Sequence, residues 1–219
     1  MNETQAVAPL LAASAEWRLL GLLLERPRAG WHAEVAALAR ESAAADLRAA
    51  AAAAGDASEG EYLALLGPGG AVSPREVAYR GMEDPARVLA DIGAFHAAFA
   101  FHPASEDPID HLAVAAGFVG YLSLKTAYAE FEGVAEGAST TAEARATFIA
   151  THVSRFATEV ARRLDVVLGD GSEHYLAQAA RAIVHRVPAP ATAATPGTIS
   201  ILPAVDEDDA GDPSCGPCP

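Results

Sequence analysis

Residues 106–122 read EDPIDHLAVAAGFVGYL. Three carboxylates and a histidine fall in the first six positions, and no charged side chain then occurs from Leu112 to Leu124. Asp107-Pro108 is a helix-start signal, because an aspartate oxygen satisfies free N–H groups of the first turn and proline suits its opening position. The stretch therefore predicts one of the most apolar helices of the chain, opening at Asp107-Pro108 and running to about Glu132, before Gly133.

Working upstream, Asp84-Pro85 repeats the start signal. Val88, Leu89, Ile92, Phe95 and Phe99 follow at helical spacing and mark a core face. GPGGAVSPREVAYRG, residues 67–81, reads as a loop broken by Gly67, Pro68, Gly69, Gly70 and Pro74. No Lys-Ser/Thr follows its glycines, so it is no phosphate loop. A short helix is expected near 58–66, one or two helices over 31–54, and a largely buried helix over about 8–25, ended before Pro27. Trp17 and Trp31 read as core or helix-contact residues. His96 reads as a satisfied core histidine.

Downstream, GVAEGASTT reads as a loop, with Thr140 or Thr141 capping a long helix to about Leu168. Ile149, Val153, Phe156, Val160, Leu164 and Val167 form its core stripe. Ser172 is expected to cap a last helix that ends before Pro188. The chain is rich in alanine and poor in β-branched residues, which favours helix. The fold class is all-α: a single-domain bundle of about six to seven helices over 1–187, then a linker and an acidic tail, 188–219, expected to be disordered.

Formal net charge is −14 over 219 residues. Five of the acids lie in the tail, which leaves about −9 on the body. Such a field disfavours nucleic acid and anionic membranes and favours a cationic partner; it also simply keeps a protein soluble. The apolar run near 112 is short of the ~18–20 residues that cross a bilayer, and the N-terminus lacks a basic region. The expectation is a cytoplasmic protein without stable membrane insertion.

The cluster at 106–111 has four readings. As catalysis it fails locally, since adjacent Asp110 and His111 point about 100° apart on a helix and cannot orient each other. As a metal site, His102, Glu106 and Asp110 have helical spacing, but Pro103 and Pro108 interrupt the helix. As structure, Asp107 caps the helix and Asp110 faces its dipole, while Glu106 is left unexplained. As a dock, carboxylates beside apolar walls complement a peptide with paired arginines and an apolar run. A helical adaptor with an apolar groove, and an enzyme using His111 with Glu106 and Asp110, are the competing functions. Cys215-Gly-Pro-Cys218 spells a redox dithiol, but it follows a run of acids and has no helix N-terminus to lower a thiol pKa. It supplies two of four zinc ligands, so metal binding there needs a second chain. No cofactor and no resident metal are expected.

These residues also carry a family resemblance. Glu106-Asp107-Pro108-Ile109-Asp110-His111-Leu112, with Phe118 and Leu122 beyond it, resembles the motif of the TorD/DmsD/NarJ chaperones of molybdenum-containing redox enzymes. Glu61-Tyr62-Leu63-Ala64-Leu65-Leu66, Ser73-Pro74-Arg75-Glu76-Val77-Ala78-Tyr79, His152 with Phe156, and Glu173-His174-Tyr175 are similar to flanking parts of the family. The resemblance spans about 10–187. The sequence departs from the family at Ala115-Ala116, where many members carry Glu-Leu, and at Leu65-Leu66, where aromatics are thinned. The resemblance implies an all-helical, non-catalytic chaperone, monomeric or a domain-swapped dimer. It implies binding of the twin-arginine signal peptide or the apo form of a molybdoenzyme catalytic subunit. The client-binding residues it implies are Glu106, Asp107, Pro108, Asp110, His111, Leu112, Tyr79 and Arg75. His111 is expected to stay neutral at the helix N-terminus, and so not to repel an arginine.

Overall fold

The computed structural model describes residues 3–189, with side chains from residue 7. The acidic tail, TISILPAV and both cysteines lie outside the described residues. The described chain is all-helical: α1 (Glu3–Leu24), α2 (Trp31–Glu41), α3 (Ala45–Ala53), α4 (Glu59–Leu66), α5 (Pro85–Ala98), α6 (Leu112–Phe131), α7 (Ala135–Phe148), α8 (Ser154–Leu168) and α9 (Tyr175–Arg186). Among the described residues the sole β pairing is an isolated antiparallel bridge, Arg75 with His111. The number of helices exceeds the six to seven expected. The 31–54 region breaks at Ser42, and the long C-terminal helix begins earlier and is divided by a π turn over Ile149–Val153.

The central pair is α1 and α6. Built Cβ atoms set the direction: one at Gly21 meets Ala113 O at 3.0 Å, and one at Gly120 meets Ser14 O at 3.1 Å and the Trp17 Cβ at 3.2 Å. Numbers fall along one helix as they rise along the other, so the two run antiparallel with backbones in close approach. Ser14 Oγ also donates to Gly120 O at 2.8 Å across this contact. The side chains of Leu19, Leu20, Leu22, Leu23 and Leu24 are fully buried, as are Phe118, Val119 and Leu122 on α6. The N-terminal half of α1 is more open than expected, with Leu11 exposed. Trp31 closes the end of α1 by donating from its indole to Leu22 O at 2.8 Å.

Several starts follow the sequence. Asp84 accepts from Ala86 N at 2.9 Å with Pro85 opening α5, and Ser58 caps α4 through Glu61 N. Others do not. Asp107 is not the cap of α6; the helix opens four residues later and His111 is its cap. Ser172 does not cap α9; His174 does, its ring nitrogen accepting from Leu176 N at 3.2 Å. GVAEGASTT is not a loop either. The chain turns at Gly133, where φ is 70°, and α7 starts at Ala135. Thr141 lies inside α7 and bonds Thr126 of α6 at 3.0 Å, so it ties two helices rather than starting one. Among the described residues two helices, α1 and α6, are long and apolar enough to cross a membrane by length and composition. For α6 the apolar faces are spent within the protein: the 72% of its span that is buried is core.

Candidate functional site

The loop before α5 and the loop before α6 meet at the Arg75–His111 bridge. Glu76 N donates to Asp110 O and Leu112 N to Pro74 O, each at 2.9 Å. This pairing fixes both loops across 35 residues of sequence and makes one wall of a cleft of about 880 Å³. Arg18 of α1, Glu25, Arg26 and Arg28 from the connection after it, Tyr62, Leu63 and Leu66 from α4, and the 67–70 turn make the rest. Glu106, Asp107, Pro108, His111 and Arg75 line it.

Three of the residues singled out from sequence are elsewhere. Leu112 is core, 1% exposed. Tyr79 donates to Ser73 O, stacks on Phe156 and lies under the Arg163 guanidinium, away from the cleft. Asp110 is buried: its carboxylate accepts from Arg75 Nε at 2.9 Å and Nη2 at 2.8 Å, and from Val77 N at 3.3 Å. It holds the wall of the cleft and does not face it. A contact between residues so far apart in sequence leaves no local signal.

The charges in the cleft sort into pairs. Arg18 is held by Glu25, Arg26 by Glu59, Arg28 by Glu34 and Arg75 by Asp110. Glu106 and Asp107 line the cleft with no ion pair among the described residues. Its four arginines are thus matched, and two carboxylates remain. Apolar surface from Leu63, Leu66, Pro68 and Pro108 lies beside them.

His111 sits at the junction. Its Nδ1 accepts from Ala113 N at 3.1 Å and its Nε2 meets Tyr62 Oη at 3.2 Å. Burial pushes its pKa down; Asp107 and Asp110 oppose that and Arg75 adds to it. The largest influence, burial, favours the neutral ring, whereas the expectation rested on the helix N-terminus.

A second polar group joins the loop before α5 to the π turn. Glu76, 2% exposed, meets His152 Nδ1 at 3.2 Å and the Arg80 guanidinium. His152 Nε2 meets Asp91 at 3.1 Å. The π turn aims His152 at both carboxylates, a common use of such turns. These ligands do not form a metal cluster, and none of three or more His, Cys, Asp or Glu occurs among the described residues. His96, expected to be satisfied, has an Nε2 without a partner, packed against Phe101, Phe118 and Phe148.

A family model described as nitrate reductase delta subunit matches residues 27–162, more than half of the chain. The chain belongs to this family. The matched range includes Tyr62, Arg75 and the whole 106–112 motif. The nitrate reductase delta family is one of molybdoenzyme maturation chaperones acting with nitrate reductase-type subunits, and it is not a family of enzymes. The resemblance to the TorD and NarJ chaperones stands on this match. No similar curated protein and no similar solved structure was found. In this delta-family chain the sequence reading missed Arg18 on α1 and the arginines just beyond its end. Arg26-Pro27-Arg28, one residue beyond a buried leucine run, was the available signal.

Proposed function

We propose that this protein is a cytoplasmic chaperone that binds an arginine-containing, partly apolar segment of a molybdoenzyme catalytic subunit, such as its twin-arginine signal peptide, and holds it until cofactor insertion. The supporting observation is the charge balance of the cleft: four arginines neutralised by their own carboxylates, with Glu106 and Asp107 left over beside apolar wall. A guanidinium pairs with a carboxylate through two parallel N–H donors, and an apolar run covers the neighbouring surface. Arg75 acts as wall, Asp110 as its anchor, and the protein performs no chemistry on its guest. Calorimetric titration of a synthetic peptide with two adjacent arginines before an apolar run tests this. Binding is expected, and replacing both arginines with glutamine weakens it at least tenfold. Equal affinity for the two peptides overturns the reading.

The adaptor reading has one observation in its favour. Leu124, Tyr128 and Phe131 are exposed at steps of four and three along α6, with exposed Val134 following. Such a row fits a partner helix. Its binding would be insensitive to salt and to both cleft carboxylates.

A further inference from the structure

The His111 cap fixes the direction of a hydrogen bond inside the cleft. Because Nδ1 accepts from Ala113 N, it carries no hydrogen. Burial keeps the ring neutral, so its one hydrogen is on Nε2, 3.2 Å from Tyr62 Oη. The ring therefore donates and the phenol oxygen accepts. The phenol hydrogen has no acceptor among the described residues, although Tyr62 is only 3% exposed. Burial raises the pKa of Tyr62, first among its causes, so that hydrogen is retained.

We infer that Tyr62, oriented by His111, is a fixed neutral hydrogen-bond donor of the cleft and takes a backbone carbonyl of the guest. The inference rests on the cleft being the peptide site and adds the form of the bound peptide. A guest carboxylate is the wrong acceptor, because the negative charge of Asp107 acts on both Tyr62 and His111. A carbonyl inside a helix already has its partner. The stretch of guest that passes Tyr62 is therefore not the interior of a helix, a condition that an extended segment meets. Extended binding also lets alternate side chains face the cleft, so one arginine can reach Glu106 or Asp107 while its neighbour points away. His111 is a positioning residue: its Nε2 hydrogen occupies the phenol oxygen and leaves the phenol hydrogen for the guest.

The test uses the paired-arginine peptide and a set in which one amide at a time is replaced by an ester, a weaker carbonyl acceptor. Tyr62→Phe is expected to weaken binding roughly 2- to 12-fold, the worth of one hydrogen bond. One ester position is expected to weaken binding to the wild type and to have no further effect in Tyr62→Phe. Nitrogen NMR of the wild type is expected to show His111 with its hydrogen on Nε2 at pH 7. A hydrogen on Nδ1 overturns the inference, as does unchanged affinity of folded Tyr62→Phe. Should that variant not fold, an ester series with no sensitive position in the wild type overturns it too. Wild-type protein that binds no peptide at all overturns this inference together with the reading beneath it.

Discussion

At the scale of the residue, Asp110 separates structure from recognition. Its carboxylate is fully buried and accepts from Arg75 and Val77 N, while the Arg75 side chain is 40% exposed. Asp110→Ala leaves the Val77 N–H without its partner and frees Arg75 to water. The expected loss is about 1–3 kcal/mol of stability in urea unfolding. Any fall in peptide affinity should track that unfolding. Two buried histidines make a different prediction. His96 is pushed down to about 4, first by burial and then by His152, and His111 is also lowered by burial. The folded state thus binds protons less readily than the unfolded chain. Stability is full above pH ~6.5 and falls as pH drops toward 4, by roughly 1.4 kcal/mol per pH unit for each histidine between its two pKa values. His96→Leu removes one of these and also the unpartnered Nε2, so the variant should gain stability over the wild type at pH 5 more than at pH 7.5. Equal differences at both pH values in chemical denaturation would contradict this.

At the scale of the element, α1 and α6 depend on small residues where they cross. A Cβ at Gly120 stands 3.1–3.3 Å from Ser14 O, the Trp17 Cβ and Arg18 N, so backbone must shift to admit it. Gly120→Val is expected to cost about 1–3 kcal/mol through overpacking, read as a lower thermal midpoint. The apolar runs that form these helices were plain in the sequence, as were the Asp84-Pro85 start and the α8 stripe from Phe156 to Leu164; Val167, expected to extend that stripe, is exposed. The head of α6 was not, because Asp107-Pro108 carries a genuine start signal that local physics favours. Tertiary pairing overrides it: the Arg75–His111 bridge holds residues 108–111 in a non-helical path and hands the cap to His111. Histidine is an uncommon reading for a cap, yet His111 and His174 both serve, each after an acid and before a buried large side chain. The π turn was likewise hidden. Ile149 to Val167 keeps helical spacing throughout, and only the placement of Glu76 and Asp91 on other segments reveals why His152 needs the extra residue.

At the scale of the whole molecule, the net charge of −14 is a poor guide to the site, because most acids lie elsewhere or are paired. The local balance decides: matched arginines and two spare carboxylates in a cleft of about 880 Å³. The sequence located Glu106 and Asp107 in the cluster but could not show that Asp110 and Leu112 turn inward, since both depend on contacts with distant segments. The most direct measurement is the affinity of the paired-arginine peptide at low and high salt, for the wild type and for the double variant Glu106→Gln, Asp107→Asn. Both side chains line the open cleft, so the variant is expected to fold as the wild type does. The account predicts weaker binding by the variant, roughly tenfold or more, and a shallower salt dependence than the wild type shows. A folded variant that binds the peptide as tightly as the wild type, with the same salt dependence, would contradict it.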